Sequence, residues 1–301
     1  MLDEGELKSE GLMPPPNEII AVVFDFDDTL VPDSTTLFLA SRNIDTTDFW
    51  QTQAKALIDE GFEPTLAYLQ LMLERVGTEK ALGCLKRSDL HKFGGTLDDK
   101  FYQGLPQMFK DLRNVVRKLK NIEIEFYIIS SGLLDIIRGS KIVRDNFKAV
   151  YACEFQENGV GHLARIKRCI SFTEKTRYLF EINKGLPIDG THRNPHLVNR
   201  DIPEANRRVH FCNLIYVGDG LTDIPCFSLV KKSGGTTFGV FHPESEQSAK
   251  RALLEFLRTD RVVSCHAPKY RKSDELGSLL RTAVIQICQT IDLKRQGALG
   301  S

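Results

Sequence analysis

Ile19-Ile20-Ala21-Val22-Val23-Phe24-Asp25-Phe26-Asp27-Asp28-Thr29 is the stretch on which the fold turns. Ile19 to Phe24 is apolar without alternation and rich in β-branched residues, the pattern of a strand covered on both faces within a parallel sheet. The run ends on Asp25. If the strand direction persists a little further, Asp25 and Asp27 project to one side while Phe26 turns back into apolar packing.

Moving outward, two further apolar runs end on polar residues. Ile122 to Ile129 reads as a strand leading into Ser130-Ser131-Gly132, and Leu214-Ile215-Tyr216-Val217-Gly218 leads into Asp219. Ala149 to Phe155 is another strand, followed by a turn or hairpin at Asn158-Gly159, and the glycine-rich 234–241 is a weaker one. Helical spacing marks Met108 to Leu119, Phe172 to Asn183 and Asp274 to Ile291. Between the first strand and residue 100 the pattern is helical only, with segments at Phe49 to Leu57, Pro64 to Val76 and Thr78 to Leu90. The expected fold is α/β: a doubly wound, Rossmann-like parallel sheet, interrupted after its first strand by an all-helical insertion. In such sheets ligands sit beyond the carboxyl ends of the strands, where Asp25, Ser130 and Asp219 all fall.

The second acidic cluster, Gly218-Asp219-Gly220-Leu221-Thr222-Asp223, also follows a strand. Its glycines permit a tight turn, and Asp219 and Asp223 are spaced to approach one another over one helical turn. Two carboxylates about 4 Å apart repel by roughly 4 kcal/mol at an effective dielectric near 20, so gathering several demands protons or a cation. Oxygen-only ligation beside a phosphate points to magnesium. Either cluster alone reads equally well as turn and helix capping; the pair does not. Ser130, Ser131 and Gly132 offer a hydroxyl and amides that can open a helix toward an anion, although a serine there is commonly just a cap. Lys175, near the start of an expected helix, is placed to neutralise both carboxylate and phosphate, with Arg177 as second choice.

In their order, these residues resemble the four motifs of the haloacid dehalogenase-like superfamily of phosphohydrolases: D-x-D-x-T, a serine or threonine, a lysine, and G-D-G-x-x-D. The helical insertion is similar to the cap of the branch that includes phosphoserine phosphatase. The resemblance implies that Asp25 attacks phosphorus and that Asp27 protonates the leaving oxygen and later activates water. It implies magnesium held by Asp25, the Asp27 carbonyl, Asp219 and Asp223, and a phosphoryl group held by Thr29, Ser130, Ser131, Gly132 and Lys175. Transfer to an acceptor other than water, or a regulatory protein binding a phospho-ligand without catalysis, remain alternatives. After Thr29 the sequence runs Leu30-Val31-Pro32-Asp33-Ser34-Thr35-Thr36, without the paired glutamates that hold the ammonium of phosphoserine, so free phosphoserine is not the expected substrate.

The domain reading that follows is a flexible arm over 1–18, a core over 19–32 and 101–293, a helical cap over 33–100 and a flexible tail over 294–301. The 40 basic and 40 acidic side chains give no net charge, which argues against a nonspecific grip on nucleic acid or anionic membrane. With no apolar run long enough to span a bilayer and an acidic, proline-rich start, a cytoplasmic location is expected. The seven cysteines contain no C-x-x-C pair and read as small buried residues. His192 and His196 have a spacing seen in zinc sites but lie in a loop without cysteine pairs. That loop, 184–210, is long enough to border the substrate entrance. The expected partner is a small phosphorylated molecule; the C-terminal helix either completes the core or builds a homodimer.

Overall fold

The computed structural model describes residues 18–119 and 121–299, so the arm expected over 1–18 lies outside it apart from Glu18. Seven strands form one sheet: β1 (Ile19–Phe24), β2 (Glu123–Leu133), β3 (Ala149–Glu157), β4 (Leu163–Arg168), β5 (Leu214–Gly218), β6 (Thr236–Val240) and β7 (Ser264–His266). Their order is β4-β3-β2-β1-β5-β6-β7. Every pair is parallel except the hairpin of β3 with β4 around Asn158-Gly159. The switch of direction falls between β1 and β5, where doubly wound sheets open a crevice.

Helices α1 (Ser34–Ser41), α2 (Lys55–Asp59), α3 (Pro64–Glu74) and α4 (Arg87–Gly94) follow β1, and α5 (Gln107–Val116) leads into β2. Then come α6 (Leu134–Gly139) and α7 (Lys141–Asn146) before β3, α8 (Glu174–Lys184) and α9 (Ile188–Arg193) before β5, α10 (Ile224–Lys232) before β6, and α11 (Glu246–Arg251) before β7; α12 (Glu275–Leu299) closes the chain. Local chemistry fixes several ends. Glu63 caps α3 by accepting from the Leu66 amide at 2.8 Å ahead of Pro64, and Gly185 ends α8 in the left-handed region.

All six residues of β1 are buried. On one face α5 buries Met108, Phe109, Leu112, Val115 and Val116, with Phe109 edge-on to Phe24 and Phe126. Helix α12 lays Leu276, Leu280, Val284, Ile287 and Ile291 into the core and packs on α5, so it completes the core. It runs to Leu299, six residues into the stretch expected as a tail. Among the described residues no helix is long and apolar enough to cross a membrane.

One expected helix is replaced. Thr78 to Leu90 is a turn followed by α4, because Gly77, Glu79 and Gly83 all take positive φ and the Gly77 amide closes on the Gly83 carbonyl at 2.8 Å. Periodicity alone overlooked the glycine at its centre.

Candidate active site

The sheet register sets the heights of the first three groups. Phe24 pairs with Ile128 on β2 and with Val217 on β5, so Asp25, Ser130 and Asp219 emerge within one residue of a common level at the carboxyl ends of adjacent strands. The Asp25 amide donates to the Val217 carbonyl at 2.9 Å, which carries the pairing one step past the strand. Phe26 is fully buried against Phe101, and the chain bends at Asp28, whose φ is +53°. Asp25 and Asp27 thus both turn to the cleft side.

Asp25, Asp219 and Asp223 each present an oxygen within 4.8 Å of the others, and all three are buried. Asp223 is held by the Tyr216 hydroxyl at 2.7 Å, the Gly220 amide at 2.9 Å and Lys175 Nζ at 2.8 Å. Gly218 is required for room rather than for its turn: a Cβ there would stand 2.5 Å from Asp223 Oδ2. Asp219 receives a long hydrogen bond from Thr29 Oγ1 and an ion pair from Arg251, both at 3.4 Å. Lys175, in the first turn of α8, is fully buried, with Nζ 3.1 Å from Asp25 Oδ1. That approach is an ion pair without hydrogen-bond alignment, so Asp25 Oδ1 is a buried oxygen that accepts no hydrogen bond.

Burial dominates the electrostatics. It raises the Asp25 carboxyl from 3.8 to about 7, Lys175 opposing and Asp223 adding. Burial, then Asp33, holds Asp27 well above the usual carboxylate range against the Ser34 hydrogen bonds. Asp219 is raised by burial and then by Asp25 and Asp223. For Lys175 burial acts downward, but the Asp223 and Asp25 carboxylates outweigh it and the pKa goes up. Lys175 pairs with Asp25 and Asp223, and Arg251 with Asp219, so three clustered acids share two cations and a bound cation would offset the repulsion that remains. The all-oxygen set and the unsatisfied Asp25 Oδ1 fit magnesium, which Asp25, Asp219 and Asp223 would hold.

Asp27 lies between the start of α1 and β2. Its Oδ1 accepts from the Ser34 amide at 2.7 Å, and Oδ2 faces Gly132, where a Cβ would stand 2.4 Å away. Ser130 is buried and its hydroxyl accepts from the Gly132 amide at 2.9 Å. Ser131 and Gly132 do not open a helix as expected: β2 runs through them to Leu133, the pairing with β3 slipping between Ile129 and Leu133, and α6 begins only at Leu134. The Ser131 hydroxyl is buried without a hydrogen bond. Thr29 is turned to Asp219, so its hydroxyl orients an acid rather than reaching for an anion.

Arg177, the second choice beside Lys175, pairs instead with Glu174 and Glu181 on its own helix. Asp33 caps α1, one oxygen accepting from the Thr36 amide at 2.9 Å and the other from the Thr36 hydroxyl at 2.8 Å. The start of loop 184–210 does not border the entrance. Gly185 to Ile188 line a separate cavity of about 230 Å³ with Tyr127, Lys148 and Arg208, at the end of α8 opposite Lys175. His192 and His196 join no metal-ligating cluster among the described residues. Conversely, sequence reasoning missed Tyr216, Arg251 and Ser34. Tyr216 had a signal, since a tyrosine in a doubly covered strand must find a partner for its hydroxyl; Arg251 had none.

No protein-family model matches the chain. An uncharacterized protein of Borreliella burgdorferi is 28% identical over 292 residues, spanning 86% of this chain and 94% of its own. Among solved structures, the chain is similar to a probable phosphoserine phosphatase from Vibrio cholerae in its unliganded form, at a TM-score of 0.49 and 12% identity over 94% of this chain and 68% of that one. It is also similar to a HAD family hydrolase from Salmonella enterica subsp. enterica serovar Typhi, at a TM-score of 0.51 and 14% identity over 84% of this chain and 67% of that one. The last likeness shows the fold alone, a doubly wound α/β core similar to that hydrolase's.

Proposed function

We propose that the chain is a magnesium-dependent phosphohydrolase of the haloacid dehalogenase-like superfamily, which hydrolyses a small phosphate monoester through a phosphoryl group carried on Asp25. The observation that carries this reading is the setting of Asp25: a buried carboxylate with one oxygen free of hydrogen bonds, 3.1 Å from Lys175 Nζ and grouped with Asp219 and Asp223.

An Asp25 oxygen attacks phosphorus as the ester P–O bond breaks, and Asp27 gives its proton to the departing oxygen. Burial raises its pKa, the direction that a general acid needs. Asp27, now ionised, takes a proton from water; the hydroxyl attacks phosphorus, the Asp25–phosphorus bond breaks, and phosphate leaves. Lys175 and the Ser130 region hold the charged oxygens in both steps. When bound, magnesium would offset the repulsion among the acids and between Asp25 and the incoming anion. Helices α1 to α4 form the cap under this reading, closing over the substrate.

The test is turnover on a panel of phosphate monoesters with and without magnesium, alongside Asp25→Asn. We expect turnover that requires magnesium and falls by at least about a thousandfold in the variant, the scale of losing a nucleophile. Asp25→Asn turning over at the parent rate would refute the mechanism.

A further inference from the structure

Tyr68 lies on α3, within the helical insertion, yet its hydroxyl donates to the backbone carbonyl of Ser131 at 2.6 Å. That carbonyl and the Gly132 amide belong to one peptide unit, and the unit is trans, since Leu105–Pro106 is the cis bond among the described residues. In a trans unit the carbonyl and the amide point in opposite directions. Here the amide donates to Ser130 Oγ at 2.9 Å. The Ser131–Gly132 peptide is therefore gripped at both ends, by Tyr68 from the insertion and by Ser130 from its own strand. It also forms the wall beside Asp27, because a Cβ on Gly132 would stand 2.4 Å from Asp27 Oδ2 and 3.2 Å from Ser130 Oγ.

The insertion reaches the other side of Asp27 as well. Trp50, the chain's single tryptophan, packs on Tyr68 with ring centroids 5.6 Å apart, and its indole donates to Thr36 Oγ1 at 2.8 Å. Thr36 donates to Asp33, and the neighbouring Ser34 amide holds Asp27 Oδ1. Tyr68 is 6% exposed and burial pushes its phenol well up, so the hydroxyl stays a donor. Packing alone needs only the ring, which phenylalanine would supply.

We propose that Tyr68 is a positioning residue: by donating to the Ser131 carbonyl it fixes the Ser131–Gly132 peptide beside Asp27, so that the phosphoryl-binding edge of the site is complete only when the helical insertion is seated. The inference rests on the phosphohydrolase reading for its consequence, though not for its geometry. The magnesium side of the site, built from Asp25, Asp219 and Asp223, does not depend on this clamp.

Tyr68→Phe in the full chain removes one oxygen and tests it. Against the parent we expect hydrogen exchange at the Gly132 amide to quicken, orthovanadate affinity in magnesium to fall about tenfold, and kcat to fall by a similar factor with KM within about threefold, the scale of one lost hydrogen bond. The magnesium concentration for half-maximal turnover should be unchanged. A variant that keeps parent exchange at Gly132 and parent vanadate affinity overturns the proposal, as does one whose magnesium requirement shifts along with everything else, since that marks general loosening. If the parent itself neither binds vanadate nor hydrolyses any ester, the phosphohydrolase reading fails. Exchange at Gly132 still decides the clamp in that case, quickening upholding it and parent exchange overturning it.

Discussion

Asp25 carries a pKa raised from 3.8 to about 7, and Asp27 and Asp219 are raised too, burial being the leading cause in each. A carboxyl whose folded pKa lies above its unfolded value binds protons more tightly when folded. Its contribution to stability is full below the unfolded pKa and is lost as pH climbs through the folded one. For Asp25 that window runs from 3.8 to about 7. Magnesium needs the ionised acids, so it should raise the melting temperature more at about pH 8 than at about pH 5. Equal gains at both would mean that the cluster does not bind the ion. The residues of this cluster were legible in sequence because each follows a strand or opens a helix, in a fixed order. Lys175 was found by context alone, and its full burial between Asp25 and Asp223 explains why a residue type that is usually solvated stands there. Arg251 and Ser34 reach the acids through an ion pair set by packing across 32 residues and through a backbone amide, which residue type does not announce.

Among elements, β1 and β5 were readable because strands covered on both faces leave unbroken apolar runs, and β2 was readable from its buried stretch Phe126 to Ile129. The edge strand β7 has three residues and no such run, and β4 alternates charged with apolar positions on the margin of the sheet. Periodicity failed where backbone sterics governed, at Gly83 inside the expected Thr78 to Leu90 helix and at the slip in β2 that keeps Ser131 and Gly132 extended. The C-terminal helix was legible as amphipathic but not as to what it covers; α12 lies on α5 with Leu280 fully buried. Leu280→Ala should therefore cost about 2 to 5 kcal/mol, read as a lower urea midpoint at unchanged slope. A loss under about 0.5 kcal/mol would place the helix outside the cooperative core.

The molecule as a whole is arranged so that the switch in strand order, between β1 and β5, lies under the acids, while the helical insertion meets the core beside Asp27. A second junction joins them where Arg87 on α4 pairs with Asp135 on α6 at 3.0 Å and reaches Glu154 on β3 at 3.6 Å. The doubly wound order was implied by strands alternating with helices, and the place of the acids at strand ends followed from it. The junctions were not implied, because they depend on how the insertion folds back. Under the proposed function, phosphorus is held covalently by Asp25 during turnover. The measurement is acid quenching of the enzyme during turnover of its best ester in magnesium, followed by mass analysis of the peptide spanning β1 and Asp25. One added phosphoryl group on Asp25, absent when substrate is withheld, is predicted. Steady hydrolysis under the same conditions with that peptide never modified, or with the phosphoryl group on another residue, would contradict it.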